Sequence, residues 1–321
     1  MSSSGSWSGS TTRDSARRPP SSSFVTAATV VPRRSRANCT GSCGPSSCGG
    51  RRSRDERGGT ADARGGSVIK VIAIGDVHGQ WPELWRVLRA ASAATATLEP
   101  TQAVMEGRYR VVCVGDLVHY KDARDYANAV GVEPYDPSDP DHLRRASKAQ
   151  IRELYRFKRY VDQSEGNVSV IIGNHDEAAF DHRYELSTRG GMSHVEFDAS
   201  KGGVELPDDL RAWFAAMPRE VVFHGVQFAH AGPLPGMQVF DDFFYHDPDT
   251  KSWWFNKPEL VKQAGHRFGV YGHTVMKDGV YVDKENGFAM VDALGKLQFL
   301  ELLLDDDRLD LSVIALAASQ P

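Results

Sequence analysis

Three runs rich in β-branched residues each break at a glycine followed by a polar side chain, and that repetition constrains this 321-residue chain more than any other feature. Val68 to Ile74 stops at Gly75 and Asp76, Tyr109 to Val114 at Gly115 and Asp116, and Val168 to Ile172 at Gly173, Asn174, His175 and Asp176. Short apolar runs without alternation read as strands buried on both faces, the habit of parallel sheets. Between the first two runs, Trp81, Leu84, Trp85 and Leu88 recur at three and four residues and Pro82 suits a first turn, so a helix is predicted over 82–94. A long amphipathic helix is predicted over 142–161, which completes an alternation of strands and helices. Later, Glu220 to Phe223, Val226 to His230, Phe268 to Gly272, Phe288 to Val291 and Lys296 to Leu303 are closely spaced short strands with glycine turns, and they predict a second sheet. The expected fold is α/β, a two-sheet β-sandwich flanked by helices over 67–304, with 305–321 as a C-terminal tail whose Asp305-Asp306-Asp307 run is a solvated turn.

Residues 1–66 stand apart as a Ser-, Arg- and Gly-rich leader with too little apolar surface to offset chain entropy, and disorder is expected there. The leader holds 11 Arg, no Lys and 4 acidic residues, a balance of +7, which leaves 27 basic and 38 acidic residues, or −11, for the remainder. An acidic body suits cations and argues against a large nucleic-acid-binding face, and Arg51 to Arg57 reads as a solvated charge run. An Arg- and Ser-rich, acid-poor leader has the composition of an organellar transit peptide, or of an upstream start codon assigned in error. With no secretory signal, the cytoplasm is the expected compartment and an organelle the alternative. Cys39, Cys43 and Cys48 lie in the leader without the paired spacing of a structural zinc site, and Cys113 lies in a strand run, so no disulfide framework is expected. No apolar run approaches the roughly 20 residues of a membrane span, so a soluble protein without a membrane partner is expected. Oligomeric state is not legible.

In open α/β sheets ligands bind beyond the carboxyl ends of the strands, so Asp76, His78, Asp116, Asn174, His175 and Asp176 are expected to converge. His230, after Val226 to Ala229, and His273, after Val270 to Gly272, sit in similar settings. Taken singly, a Gly-Asp after a strand is a turn or a cap, and a strand-end histidine is structural. Together they form an oxygen and nitrogen set without thiolate, suited to manganese, iron or zinc.

As an ordered set, Gly75-Asp76-Val77-His78-Gly79, Gly115-Asp116, Gly173-Asn174-His175-Asp176, His230-Ala231-Gly232 and Gly272-His273-Thr274 resemble the signature of the calcineurin-like metallophosphoesterases over roughly 68–295. The Gly-His-Thr block and Val291-Asp292-Ala293-Leu294-Gly295 are similar to the phosphoprotein phosphatase branch, which includes the diadenosine tetraphosphate hydrolases. The resemblance implies a four-layer αββα sandwich with a binuclear centre of two divalent metal ions. It implies that Asp76 and His78 bind the first metal, that Asp116 bridges, and that Asn174, His230 and His273 complete the second. Two cations about 3.5–4 Å apart would hold a hydroxide nucleophile and clamp the phosphoryl oxygens, with no Ser or Cys nucleophile required. Catalysis then falls to Asp116 and His175, the latter as general acid, while Lys121 and Asn174 face the substrate.

The chain departs from the family pattern where Gly-Asp-x-x-Asp-Arg-Gly is replaced by Gly115-Asp116-Leu117-Val118-His119-Tyr120-Lys121. His119 stands where an acidic residue orients the catalytic histidine, and Tyr120 where an arginine grips the phosphate. Lys121 could supply the missing charge as a point charge, and Arg183, Arg189 and Arg267 are further candidates for phosphate contact. Trp253-Trp254-Phe255 either stacks a base or packs in the core. The expected activity is hydrolysis of phosphomonoesters, with phosphoserine and phosphothreonine proteins leading and dinucleoside polyphosphates as the alternative. A non-catalytic, metal-containing module that binds phosphorylated partners is the rival from another class.

Overall fold

The computed structural model describes residues 68–181, 185–188, 190–233 and 248–317. The leader with its three cysteines and Arg51 to Arg57, and also Arg183 and Arg189, lie outside the described residues. In chain order the elements are β1 (Ile69–Ile74), α1 (Trp81–Ala90), α2 (Gln102–Met105), β2 (Tyr109–Cys113), α3 (Ala123–Val130), α4 (Pro140–Asp162), β3 (Val168–Val170) and α5 (Asn174–Asp181). There follow α6 (Asp208–Ala215), β4 (Glu220–Phe223), β5 (Val226–Ala229), α7 (Pro248–Asn256), α8 (Leu260–Gln263), β6 (Phe268–Tyr271), β7 (Tyr281–Asp283), β8 (Phe288–Met290), β9 (Gln298–Leu304) and β10 (Leu309–Ala315).

The strands make two five-stranded sheets, ordered β10-β9-β1-β2-β3 and β4-β5-β6-β8-β7. β1, β2 and β3 pair in parallel, as do β5, β6 and β8, so both sheets deliver consecutive strand ends to one edge. Alternation along each strand sorts the side chains into two layers. Val71, Ala73, Val112 and Val114 of the first sheet meet Val226, Phe228, Val270 and Val291 of the second in the core between the sheets. Ile72, Ile74, Val111 and Cys113 face the other way, onto Leu84, Trp85 and Leu88 of α1 and Leu154, Phe157 and Tyr160 of α4. The helices are therefore pinned by the outer faces of strands whose inner faces make the sandwich.

Two expectations about the C-terminal third are corrected. The strand over 296–303 belongs to the first sheet, where β9 lies antiparallel beside β1, and a diagonal Lys70–Glu301 ion pair at 2.5 Å helps fix that register. The segment expected to be a tail returns as β10, antiparallel to β9 along its whole length. Its signal is weak because an edge strand packs on one side only, and most of its residues stay partly exposed. The acidic run forms the turn between them: Asp305 accepts from the amides of Asp307 and Arg308, and the Arg267 guanidinium donates to the carbonyls of Asp305, Asp306 and Asp307. Arg267 is thus spent on a turn rather than on the crevice. No helix among the described residues is long and apolar enough to cross a membrane.

Candidate active site

The loops after β1 and β2 are tied to each other before any side chain is considered. The amides of Val77 and His78 both donate to the carbonyl of Asp116, at 3.0 and 2.6 Å. Tight exits force unusual backbone angles: His78, Asp116, His119 and His273 all lie in the left-handed region, with φ of 44°, 50°, 65° and 62°. Such residues cost of order 1–3 kcal/mol each and concentrate where geometry is dictated by function. Glycine is needed at Gly173 and Gly272 for a different reason. A β-carbon there would collide with the carboxylates of Asp116 and Asp76 respectively.

Asn174 and His175 diverge because they open α5 and lie about 100° apart on a helix. The His175 amide at that helix start donates to Asp116 Oδ1 at 2.8 Å. Asp176 is buried behind the pair and accepts from the amides of Leu117 and Gly173, at 2.7 and 2.9 Å, which staples the loop after β2 to the loop after β3. Burial, followed by the nearby Asp116 charge, pushes the Asp176 carboxyl up to about 7.

The sequence-predicted donors do come together. His230 Nε2 lies 3.0 Å from Asn174 Oδ1 and 3.3 Å from Asp116 Oδ2, while His273 Nδ1 lies 3.0 Å from Asn174 Oδ1 and 3.2 Å from His230 Nε2. On the other side of the same carboxylate, His78 Nε2 lies 3.4 Å from Asp116 Oδ2 and 3.8 Å from Asp76 Oδ2. Ligand atoms of Asp116, His230 and His273 fall within 4.8 Å of one another, and so do those of His78, Asp116 and His175. Asp76 sits deeper, with both oxygens 3.0 Å from the His273 amide.

These residues fit divalent cations for a reason rooted in hydrogen bonding. His78 Nδ1 faces the carbonyl of His119 at 2.9 Å, and His230 Nδ1 faces the carbonyl of Val114 at 2.8 Å. A carbonyl only accepts, so each Nδ1 carries the proton and each Nε2 presents its lone pair to Asp116. Two lone-pair nitrogens aimed at one carboxylate repel unless a positive charge lies between them. Donor spacings of 3.0–3.4 Å match the edges of a coordination shell with bonds of about 2.1 Å. Without a metal, a proton is the substitute: His230 is pushed up to about 10 because, although burial acts against it, the Asp116 and Asp76 charges prevail. Asp116 moves the opposite way, well below the usual carboxylate range, as His230, His175 and His78 together outweigh its burial. Asp76 is raised by burial and by Asp292.

The side of the crevice around His175 is built from imidazoles. His175 Nδ1 lies 3.1 Å from His119 Nδ1, and the ring of His119 stacks on that of His194 with centroids 4.6 Å apart and planes 1° from parallel. Burial depresses the protonation of His119 and His175 well below the ordinary histidine range, and of His194 to about 3. Tyr120 turns away into a separate aromatic cluster with Tyr126 and Tyr135, its ring packed over Gly79. Lys121 Nζ holds the buried Asp292 carboxylate at 2.8 Å. Trp253 is core, its indole donating to the Ala231 carbonyl at 2.9 Å and its face against Tyr271 and Phe288. His224 pairs with Asp306 on the surface, and the thiol of Cys113, pushed by burial up to about 12, is inert inside its strand. Sequence reading missed Tyr126, Gln150, His194 and Glu196, which lie behind His119; none of them stands in a motif or at a strand end.

The model of the calcineurin-like phosphoesterase family matches residues 69–311, and the chain belongs to that family, whose chemistry is the hydrolysis of phosphoester bonds. No curated protein matches the chain. Among solved structures it is similar to a cold-active protein tyrosine phosphatase, at 15% identity and TM-score 0.47 over 77% of this chain and 78% of that one. It is similar also to a protein serine/threonine phosphatase from Saccharomyces cerevisiae, at 12% identity and TM-score 0.46 over 80% and 83% of the two chains. A third is a putative diadenosine tetraphosphatase, at 17% identity and TM-score 0.42 over 76% and 93%.

Proposed function

We propose that the chain hydrolyses phosphomonoesters with the help of two divalent cations, manganese, iron or zinc, and that phosphoserine and phosphothreonine proteins are its leading substrate class. The observation that carries this reading is the pair of carbonyl-locked imidazoles, His78 and His230, both presenting Nε2 to the single carboxylate of Asp116. Asp76, His78 and Asp116 would hold one cation, and Asp116, Asn174, His230 and His273 the other. Bound there, the cations supply Lewis-acid polarisation of the phosphoryl group and a water-derived nucleophile at neutral pH.

The protein's own groups do the rest. Asp116 offers Oδ2 to both donor sets while the His175 amide holds its Oδ1, so the carboxylate that would neutralise both charges is fixed in orientation. His175 is largely buried at the edge of the crevice, and with Nδ1 turned to His119 it leaves Nε2 to carry a proton to the departing alkoxide. Lys121 gives one of its three donors to Asp292 and keeps two for a phosphoryl oxygen.

The test is a turnover screen of the full chain, stripped of metal and then reloaded with manganese. 4-Nitrophenyl phosphate, a phosphoserine peptide and diadenosine tetraphosphate are the substrates. Manganese-dependent release of phosphate from the first two is expected. Turnover of the dinucleotide alone would replace the leading substrate class, and absence of any turnover in the loaded protein would leave a phosphate-binding module.

A further inference from the structure

A histidine that gives up a proton from one ring nitrogen needs the other held, normally by a carboxylate or a carbonyl. Here the neighbour of His175 Nδ1 is another imidazole, His119, which can accept from it only in one tautomer and one orientation. The structure supplies the missing constraint two residues deeper. Glu196 is fully buried, and its Oε1 accepts from the Tyr126 hydroxyl at 2.5 Å and from Gln150 Nε2 at 2.8 Å.

Because a carboxylate only accepts, every bond outward from Glu196 has a fixed direction. The Tyr126 hydroxyl has spent its one proton on Glu196, so its oxygen must accept from His194 Nδ1 at 2.7 Å. That makes His194 the Nδ1–H tautomer, and its ring lies flat on His119. The second arm runs through Gln150, whose amide nitrogen is committed to Glu196 and whose oxygen therefore accepts from the His119 amide at 2.8 Å. The backbone of His119 is held by one arm and its ring face by the other. Gln150 and Tyr126 are fully buried.

We infer that Glu196 is the positioning carboxylate for His175, acting through Tyr126–His194 and through Gln150 to hold His119 in place, and so standing in for the acidic neighbour that His119 displaces. The inference rests on the proposed role of His175 as the acid. It makes Tyr126, Gln150 and His194 positioning residues as well, none of which is itself among the proposed ligands of the cations.

Ring-nitrogen NMR of the metal-free, unsubstituted protein is the first test. His194 should carry its proton on Nδ1, and a proton on Nε2 would overturn the inference whether or not any variant folds. The second test is Tyr126→Phe, which keeps the ring and cuts one arm, assayed with manganese on two substrates. On phenyl phosphate, whose leaving group needs protonation, kcat should fall about 10–100-fold with KM within about twofold, the usual effect of a supporting partner. On 4-nitrophenyl phosphate, whose leaving group departs readily, the fall should stay below about threefold. The third is the same substitution in a His119→Asp background, where a carboxylate touches His175 directly and the loss should shrink to about twofold. Equal losses on both substrates, or in both backgrounds, would mean a merely structural role. Should His175→Ala be crippled while Tyr126→Phe runs at full rate, this inference alone fails; should His175→Ala run at full rate, the proposed acid fails first.

Discussion

The crevice has two halves that solve opposite problems. In the half formed by Asp76, His78, Asp116, Asn174, His230 and His273, the Nε2 atoms of His230 and His78 crowd Asp116 Oδ2 at 3.3 and 3.4 Å, and backbone carbonyls of Val114 and His119 fix the histidine tautomers. Added positive charge between those nitrogens and the carboxylate would relieve the crowding. In the half formed by His175, His119, His194, Tyr126, Gln150 and Glu196, each described bond has a donor matched to an acceptor, and the only charge is a carboxylate set well back from the surface. One half is built to take a ligand and the other to keep a side chain still. The difference teaches that the residue at position 119 leaves the proposed cation half intact and bears only on how the proposed acid is held.

The largest expected effect comes from attacking the first half at its shared atom. Asp116→Asn keeps the shape but removes the charge both donor sets depend on, and manganese-dependent turnover should drop about 10³-fold, corresponding to ~4 kcal/mol of transition-state stabilisation. Metal analysis of the same variant should show fewer than one ion per chain, against the two expected for the unsubstituted protein. A variant that kept both ions would break the distinction between the halves, since Asp116 would then be no more than a hydrogen-bond acceptor for His175.

Removing the acid attacks the second half. His175→Ala is expected to lower kcat on a phosphoserine peptide about 10²-fold while leaving metal content unchanged. Loss of metal together with activity would show that His175, which falls within one of the two donor clusters, belongs to the first half instead.

How much of this was legible follows from where each half is anchored. Asp76, Asp116 and Asn174 close strands whose β-branched runs stand out, and His230 and His273 close two more, so the cation half could be read from spacing and resemblance alone. Glu196 and His194 come from an irregular segment, Tyr126 from α3 and Gln150 from α4. A Gln on the buried face of a helix or a Tyr in a short helix carries no local mark of what it will meet. β10 escaped for a related reason: an edge strand half-exposed along its length and preceded by three aspartates has the composition of a tail. Tyr120 takes the sequence position at which the family pattern has an arginine, yet its ring is found with Tyr126 and Tyr135, because a phenol gains more from that buried aromatic cluster than from a polar crevice.

The imidazole half should also be visible in stability against pH. His194 is held by burial at about 3, below its ordinary 6.5, and His119 and His175 are depressed in the same direction. A histidine whose folded value is lowered takes up its proton more readily when unfolded. The stability it contributes is therefore complete above about pH 6.5 and is lost as pH falls from there toward about 3, at up to about 1.4 kcal/mol per pH unit for each such group. Thermal unfolding of the chelated protein between pH 7.5 and about pH 4.5 should follow that slope, and His194→Gln should flatten it. An unchanged slope in the variant would place the titrating groups elsewhere.

The smallest effect sits at the border between the halves. Lys121 is bonded to Asp292 at 2.8 Å and is about three-quarters buried, so it serves a structural carboxylate before it serves a substrate. Lys121→Met keeps most of the stem and removes the charge, and inhibition by inorganic phosphate should weaken only about fivefold, ~1 kcal/mol, because the cations carry most of the phosphoryl recognition. Asp292, left buried without its partner, should lower the unfolding midpoint as well. Substituting both, as Lys121→Met with Asp292→Leu, separates the two roles: the midpoint should recover while phosphate inhibition stays weak. If inhibition recovers along with the midpoint, Lys121 has no part in binding phosphate, and recognition in this crevice belongs wholly to the cations and Asn174.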